Sequence, residues 1–219
     1  MNVFIIIPCY NEAKKLAKVI DEVKEYGKVV VIDDGSTDDS YEVAKRQEVK
    51  VIKHLLNRGQ GAALETGNKY ALSQEADIVV HFDADGQHQA AEIPLLIKHL
   101  IEDRADIVLG SRFLTKNDQT PFFKKWLILK PASILQNLMF GLKLTDAHNG
   151  FRALSKKALA EINITQDRYA HSTEIIEQIK IKGLKFVEVP VTIIYNEFGQ
   201  GLMGGLKILS DLFLRKINK

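Results

Sequence analysis

The sequence predicts an α/β protein with a mostly parallel central sheet and helices on both faces. Strand-like and helix-like segments alternate through the first half of the 219 residues, which is the rhythm of consecutive β-α-β units. The strand-like segments are continuous runs rich in valine and isoleucine, as expected where helices cover both faces of a sheet. The length suits one domain with a substantial core.

In the first half, apolar runs bounded by polar or glycine-containing turns indicate the elements in chain order. Strands are predicted over Val3–Ile7, Val29–Ile32, Val49–Lys53, Ile78–Phe82 and Ile107–Leu109. Helices are predicted over Glu12–Tyr26, Asp38–Gln47, Gly61–Ser73 and Ala91–Glu102.

The second half breaks this rhythm. Helices are predicted over Phe122–Leu142, with an interruption at Pro131, and over Ser172–Lys182 and Leu202–Ile217. Phe186–Ile194 is strand-like, and because Pro190 cannot donate to a sheet ladder, this strand is predicted at an edge. No linker rich in proline, glycine or serine divides the chain, so we expect a single domain over residues 1–219.

Charge is distributed unevenly along the chain. Residues 1–120 carry 15 basic and 20 acidic side chains, whereas residues 121–219 carry 15 basic and 8 acidic ones. An acidic half with clustered aspartates suits metal binding, and a basic half suits an anionic partner such as a membrane surface or a phosphate. Ordinary scatter of surface charge is the alternative. No nucleic-acid partner is predicted.

The single cysteine and the absence of a predicted leader indicate the compartment. Cys9 cannot form an intramolecular disulfide, which favours a reducing cytosol, and its place at the end of an apolar strand favours a packed thiol over a nucleophile. Neither a signal peptide nor a transmembrane helix is predicted.

Asp83 and Asp85 follow directly on the strand predicted over Ile78–Phe82. Alternating residues at a strand end can direct two carboxylates at one centre, and hard oxygen ligands suit Mg²⁺ or Mn²⁺. A simple turn is the alternative, because aspartate and glycine favour turns.

Two further strand ends carry polar or aromatic groups. Asp33 and Asp34 follow Val29–Ile32, and adjacent like charges repel unless something neutralises them. Pro8 and Tyr10 follow the first strand. Pro8 offers a rigid edge, and Tyr10 offers an aromatic face on which a base could stack. Since ligands bind beyond the carboxyl ends of strands in open α/β sheets, the three strand ends predict one nucleotide crevice.

The ordered set of motifs resembles glycosyltransferase family 2, which has the GT-A fold. The segments that carry this resemblance are Pro8–Glu12, Val31–Asp38, Asn57–Gly61 and Asp83–Gln87. Gly110–Phe113, Thr145–Arg152 and Glu188–Val191 resemble the dolichyl-phosphate mannose synthase branch of that family. The resemblance covers essentially the whole chain. It implies a nucleotide-sugar-binding half over residues 1–115 and an acceptor- and membrane-facing half over residues 116–219.

The resemblance implies a metal-dependent, inverting transfer of a sugar from a nucleotide-diphosphate sugar to a polyprenyl phosphate or another membrane-associated acceptor. GDP-mannose is the first candidate for the donor. The implied nucleotide-sugar-binding residues are Pro8, Tyr10, Glu12, Asp33, Asp34, Asp83, Ala84, Asp85, Gln87 and Arg112. The implied Mg²⁺ or Mn²⁺ ligands are Asp83, Asp85 and Gln87. Asp85, Arg112 and Asp146 are the implied catalytic residues, although chemistry alone assigns Asp146 no role, and Arg152 and His171 are expected on the acceptor side.

The same residues are also compatible with other functions. A UDP-sugar-dependent transferase acting on a glycan hydroxyl would need a general base, for which Asp146, Glu174 or His171 are candidates, although His171 fits better as a surface residue at a helix start. A non-catalytic binding module on the same fold is a further alternative. A sugar nucleotidyltransferase would need a glycine-rich basic loop after the first strand, and a dinucleotide-dependent oxidoreductase would need Gly-x-Gly-x-x-Gly there; Pro8–Glu12 contains neither.

Two segments predict contact with the cytoplasmic face of a membrane. Phe122–Lys130 mixes aromatic residues with lysines, as interfacial helices do, and Leu206–Ile217 gathers apolar residues on one helical face. Packing on the domain or against a second copy is the alternative. Relatives often carry transmembrane helices, which a membrane-protein partner could supply to this chain. A homodimer is the other expected partner. Relatives tend to have basic residues where Tyr195–Gly205 has none, which leaves closure of that loop over the donor open.

Overall fold

The computed structural model describes residues 1–115, 124–168 and 170–194. The strands are β1 Val3–Cys9, β2 Lys28–Asp33, β3 Lys50–Lys53, β4 Ile78–His81, β5 Ile107–Ser111, β6 Arg152–Ser155 and β7 Phe186–Pro190. The α-helices are α1 Ala13–Val23, α2 Ser40–Arg46, α3 Gln60–Ser73, α4 Ile93–Ile101, α5 Lys130–Phe140, α6 Lys156–Glu161 and α7 His171–Ile181. A 3₁₀ turn, Ala90–Glu92, precedes α4, and a π-helical segment, Lys124–Leu129, precedes α5.

The described strands form one seven-stranded sheet in the order β3-β2-β1-β4-β6-β5-β7. Strand β6 runs antiparallel to both of its neighbours, β4 and β5. The other pairs are parallel. The predicted α/β class with a mostly parallel sheet is therefore confirmed, and β7 lies at an edge of the sheet, as Pro190 predicted.

The register of the central strands brings their carboxyl ends to one edge. Cys9 at the end of β1 is paired with Asp33 at the end of β2. Ile6 of β1 is paired with His81 at the end of β4. The segments that follow these three strands therefore leave the sheet side by side, which is where open α/β sheets bind their ligands.

Two hydrophobic layers cover the sheet, one on each face. Ile5 and Ile7 of β1 pack in the layer formed with α1, α2 and α4. Phe4 and Ile6 pack in the opposite layer, formed with α3, α6 and α7. All four side chains are buried, which explains why β1 is a continuous apolar run and not an alternating one.

Strand β6 and helix α6 are absent from the sequence prediction. Strand β6 has only four residues and begins with an arginine, so its apolar pattern is too short to detect. Its Ala153 packs into one hydrophobic layer and its Leu154 into the other. Placement between β4 and β5 buries both faces of the strand.

The structure also changes several predicted boundaries. The strand predicted over Phe186–Ile194 ends at Pro190, because proline cannot continue the ladder. Pro131 lies in the first turn of α5, where proline is tolerated, and the π-helical segment ends at Leu129, so the predicted interruption at this point is confirmed. The helix predicted over Leu202–Ile217 and the segment Tyr195–Gly205 lie outside the described residues. None of the helices in the described ranges combines the length and apolar character that crossing a bilayer requires.

Candidate active site

A cleft of about 400 Å³ opens at the carboxyl edge of β1, β2 and β4. Seven of the predicted nucleotide-sugar-binding residues line it: Pro8, Tyr10, Glu12, Asp34, Asp83, Ala84 and Asp85. The lining also contains residues for which no role was predicted, namely Cys9, Asn57, Gly59, Gln60, Ala63 and Arg168. Asp33, Gln87 and Arg112 lie outside this lining.

Asp83 is held from two sides. Gln60 donates from Nε2 to Asp83 Oδ1 at 2.7 Å, and His88 Nε2 lies 3.0 Å from Asp83 Oδ2. Because a carboxylate only accepts, His88 Nε2 is the donor. The imidazole packs against both Phe82 and Phe151, with ring centroids 5.5 and 4.9 Å away, and these two rings also contact each other. Burial by itself raises the pKa of Asp83, but the hydrogen bond from His88, together with nearby positive charge that includes Arg152, outweighs it and holds that pKa below its usual range.

Asp85 lies in a less favourable electrostatic environment. Its Oδ1 accepts the backbone N–H of Gln87 at 3.0 Å, and Gly86 takes the left-handed conformation that this turn requires, with φ of 67°. Burial raises the pKa of Asp85, and the negative charge of Asp83 raises it further.

The pair Asp83 and Asp85 fits a divalent cation. Both offer hard carboxylate oxygens, and their mutual repulsion is relieved when a cation lies between them. The described parts of the chain contain no group of three or more His, Cys, Asp and Glu residues able to hold a metal. The protein would therefore contribute few ligands, as is common for Mg²⁺, which takes its remaining ligands from water and substrate phosphates. The predicted third ligand, Gln87, donates its backbone N–H to Asp85 and accepts the backbone N–H of Ile194 at 2.9 Å.

Asp34 builds one wall of the cleft. Its carboxylate accepts the backbone N–H groups of Arg58 at 3.1 Å and Gly59 at 2.6 Å, and its Oδ1 lies 2.7 Å from His54 Nδ1. These contacts fix the turn that leads into α3. Gly61, at the start of that helix, packs so closely that a Cβ atom there would stand 2.0 Å from the carbonyl oxygen of Gln166. The side chain of Asp34 thus shapes the cleft through the turn that it holds.

The other predicted wall residues differ in exposure. Tyr10 is 45% exposed, so its ring is available for stacking in the cleft. Asp33, the last residue of β2, is fully buried, and its Oδ1 accepts the backbone N–H of Ser36 at 3.3 Å. Burial raises the pKa of Cys9 to about 12, so its thiol stays protonated, and the predicted packed thiol is confirmed.

Arg112 and Asp146 form a buried ion pair beyond the cleft lining. Arg112 Nε donates to Asp146 Oδ2 and Arg112 Nη2 to Asp146 Oδ1, both at 2.7 Å, and the backbone N–H of Arg112 donates to Oδ2 at 3.1 Å. Burial raises the pKa of Asp146, but the Arg112 guanidinium outweighs that effect and holds it below its usual range. The resemblance implied that Asp146 is catalytic without assigning it a chemical role, and the structure shows that it is the carboxylate partner of Arg112.

Glu188 of β7 supports this ion pair from the neighbouring strand. Its carboxylate accepts the backbone N–H of Thr145 at 2.9 Å, the Thr145 hydroxyl at 3.0 Å and the backbone N–H of Asp146 at 3.0 Å. The hydroxyls of Thr145 and Ser111 are 2.6 Å apart. Glu188 therefore fixes the loop that presents Asp146 to Arg112.

The predicted acceptor-side residues, Arg152 and His171, are buried and do not line the cleft. Arg152 is 1% exposed, and its Nη2 donates to the carbonyl oxygen of Asn149 at 2.8 Å. Burial lowers the pKa of Arg152 to about 10. His171 Nδ1 lies 2.6 Å from the Arg168 carbonyl oxygen, and burial together with Arg152 lowers its pKa to about 4. The expectation that His171 is a surface residue was wrong, because α7 packs its first turn against the core.

The fold and the cleft together define a class of protein, the glycosyltransferases with the GT-A fold. The chain belongs to glycosyl transferase family 2, whose model matches residues 4–163. It is therefore a glycosyltransferase, and the predicted resemblance to the dolichyl-phosphate mannose synthase branch is confirmed by its relatives.

Two relatives match this chain over most of their length. The chain is 34% identical over 247 residues to the UDP-N-acetylglucosamine–dolichyl-phosphate N-acetylglucosaminyltransferase of Methanococcus voltae, covering 99% of this chain and 97% of the relative. It is 31% identical over 218 residues to the undecaprenyl-phosphate mannosyltransferase of Micrococcus luteus, covering 94% of this chain and 88% of the relative.

A crystal structure of glucosyl-3-phosphoglycerate synthase from Mycobacterium tuberculosis, in complex with Mn²⁺, UDP and phosphoglyceric acid, shares the fold. The TM-score is 0.74 at 18% identity, and the match covers 98% of this chain and 78% of that one. The similarity confirms the GT-A architecture predicted from the motifs.

Proposed function

We propose that this glycosyltransferase moves a sugar from a nucleotide-diphosphate sugar to a polyprenyl phosphate. The observation that carries the donor side is the pair Asp83 and Asp85 in a cleft at the carboxyl edge of the sheet. The acceptor side is supported by the two relatives, which are named for transfer to dolichyl and undecaprenyl phosphate. Residues 1–115 would supply most of the donor-binding side chains, and residues 116–219 would meet the acceptor.

The reaction forms one bond and breaks another at the anomeric carbon. An oxygen of the acceptor phosphate attacks, the bond from the sugar to the diphosphate breaks, and a nucleoside diphosphate leaves. Direct attack from the opposite face inverts the anomeric configuration. Mg²⁺ or Mn²⁺ held by Asp83 and Asp85, with Gln87 as the predicted third ligand, would neutralise charge on the leaving diphosphate.

The described residues favour a phosphate acceptor over a hydroxyl. A phosphate oxygen is already ionised at neutral pH, whereas a hydroxyl needs a general base. Asp146 is committed to Arg112, and Glu174 accepts the backbone N–H groups of Thr165 and Gln166 at 3.0 and 2.9 Å. His171 is buried. None of these three predicted bases lines the cleft.

The nucleotide and the sugar are the finer part of the proposal. The motifs predict GDP-mannose, and the relative named as a mannosyltransferase supports mannose as the sugar. A UDP-sugar is supported by the relative named for UDP-N-acetylglucosamine. Tyr10 would stack on guanine or on uracil, so it does not distinguish a GDP-sugar from a UDP-sugar.

We also propose that the protein acts at the cytoplasmic face of the membrane. The π-helical segment and α5 expose Trp126, Leu127 and Leu138 by 49, 66 and 78% of their surface. Lys130 Nζ lies 4.1 Å from the centre of the Trp126 ring, so an ammonium group accompanies these apolar side chains. Aromatic, aliphatic and basic side chains in one segment are typical of interfacial helices.

A transfer assay tests the proposed function. Purified protein with Mn²⁺ is given GDP-mannose, UDP-glucose or UDP-N-acetylglucosamine, each with undecaprenyl or dolichyl phosphate, and the labelled lipid is measured. We expect one donor to label the lipid. Asp85→Ala should abolish labelling, whereas Asp21→Ala, at an exposed position of α1 outside the cleft lining, should not. Labelling of a glycan hydroxyl in place of the lipid would favour the UDP-sugar alternative. Transfer that survives Asp85→Ala would show the metal mechanism to be wrong.

Flotation with liposomes tests the membrane proposal. We expect the chain to float with vesicles that contain anionic phospholipid and to be released by high salt. Failure to float would favour a membrane-protein partner, and a dimer in sedimentation experiments would favour packing against a second copy.

A further inference from the structure

The cleft has an uneven distribution of charge. Among its described lining residues, four are acidic, Glu12, Asp34, Asp83 and Asp85, and Arg168 is the single arginine or lysine. A nucleotide diphosphate would bring further negative charge into this cleft. Arg112, which was predicted among the nucleotide-sugar-binding residues, lies outside this lining and donates two guanidinium hydrogen bonds to Asp146. Arg168 is therefore the side chain of this lining that could offset the negative charge of a diphosphate.

The backbone at Arg168 is fixed from several directions. Its carbonyl oxygen accepts the backbone N–H of His171 at 3.2 Å and lies 2.6 Å from His171 Nδ1. The carbonyl oxygen of the preceding residue, Asp167, accepts the backbone N–H of Ala62 at 3.2 Å. The Asp167 carboxylate in turn pairs with Arg58 at 2.9 Å. This loop is thus tied both to α7 and to the turn that Asp34 holds.

The side chain of Arg168 leaves this fixed backbone across Gly59. A Cβ atom on Gly59 would stand 2.8 Å from Arg168 Cγ and 3.1 Å from its Cα, so the aliphatic stem lies directly on the glycine. Gly59 also has a φ of 116°, a conformation that favours glycine. The missing side chain and the positive φ of Gly59 therefore allow the stem of Arg168 to pack on this turn. The Arg168 side chain is exposed at the cleft.

We infer that Arg168 is a phosphate-binding residue of the cleft and that its ligand is the diphosphate of the donor. The inference rests on the proposed function. A guanidinium presents its N–H groups in a fork that matches phosphate oxygens, and such charge-assisted hydrogen bonds are stronger than neutral ones. Arg168 faces the same cleft as Tyr10 and the Asp83–Asp85 pair, which would bind the other parts of the donor.

Calorimetric titration of GDP and of UDP, each with Mg²⁺, tests this inference. Wild type is measured first, and the nucleotide that binds is then titrated into Arg168→Ala and Arg168→Lys. We expect about a tenfold weaker Kd for Arg168→Ala, a loss within the range of one hydrogen bond to a charged group, and a smaller loss for Arg168→Lys, which keeps the charge without the fork. Arg104→Ala, at an exposed position paired with Glu102, is the matched control and should bind like wild type.

The outcomes separate this inference from the proposed function. Binding by Arg168→Ala within twofold of wild type would overturn the role of Arg168 and leave the proposed function standing. A variant that binds nucleotide normally but shows a raised KM for the polyprenyl phosphate would place Arg168 on the acceptor phosphate and overturn the donor assignment. A wild type that binds neither nucleotide would overturn the proposed function itself. Because Arg168 is exposed, its variants should melt at the wild-type temperature.

Discussion

Replacement of Asp146 by asparagine is expected to destabilise the fold substantially. The carboxylate of Asp146 accepts three N–H groups of Arg112, and both residues are buried. Asparagine offers a single acceptor oxygen, and its amide nitrogen would face a guanidinium donor. The variant therefore leaves the buried Arg112 charge without its carboxylate, a change that typically costs about 3–5 kcal/mol of folding free energy.

The pH dependence gives the Asp146 prediction a second, independent readout. The folded pKa of Asp146 is lowered, so its stabilising contribution is fully present above the unfolded pKa of about 3.9 and is lost as pH falls through the folded value. Wild type and Asp146→Asn should therefore differ by a constant amount near neutral pH and converge below about pH 4.

Urea unfolding followed by circular dichroism measures both effects. Asp21→Asn is the matched control, because Asp21 pairs with Lys24 on the exposed surface of α1, and such pairs contribute about 0–1 kcal/mol. A loss below about 1 kcal/mol for Asp146→Asn at pH 7, no larger than the control, would refute the reasoning. So would a difference between wild type and variant that persists unchanged at pH 3.

Three further substitutions test other parts of the site. Asp85→Asn should lower kcat by about 10²–10³-fold, the range for losing one group that stabilises transition-state charge, and a kcat equal to that of Asp21→Asn would contradict this role. Glu188→Gln should cost about 1–3 kcal/mol in urea unfolding, because three donors lose their charged acceptor; unchanged stability would mean that the loop holds Asp146 without it. Gly61→Ala should cost about 1–3 kcal/mol through the approach to Gln166, and a wild-type melting temperature would show that the two loops separate freely.

The cleft could be predicted from the sequence because its central residues are local features of strand ends. Tyr10, Asp34 and the Asp83–Asp85 pair each follow an apolar run within a few residues, and parallel pairing brings those runs to one edge. The sequence pattern therefore contained both the chemistry of these residues and their approximate position.

Arg168 could not be predicted in the same way. It enters the cleft because its loop packs against a turn about a hundred residues earlier, through Ala62 and Asp167. The burial of Arg152 and His171 is likewise a consequence of tertiary packing, and nothing in their local sequence distinguishes them from surface residues. The loop Asn57–Gly61 was recognised as a motif, but its role in holding Arg168 depends on backbone contacts that only the structure shows.

The antiparallel strand β6 has a consequence for how the chain folds. Strand β5 pairs with β6 and β7, and β4 receives β6 on its outer side, so residues 107–111 find their sheet partners only after residue 151. During synthesis, the edge of β4 is left without its partner until β6 has been made. A fragment ending near residue 115 would expose that edge and an unpaired β5, which are hazards for aggregation. The two proposed halves, residues 1–115 and residues 116–219, thus share one sheet, and we expect that they could not be exchanged between enzymes as separate modules.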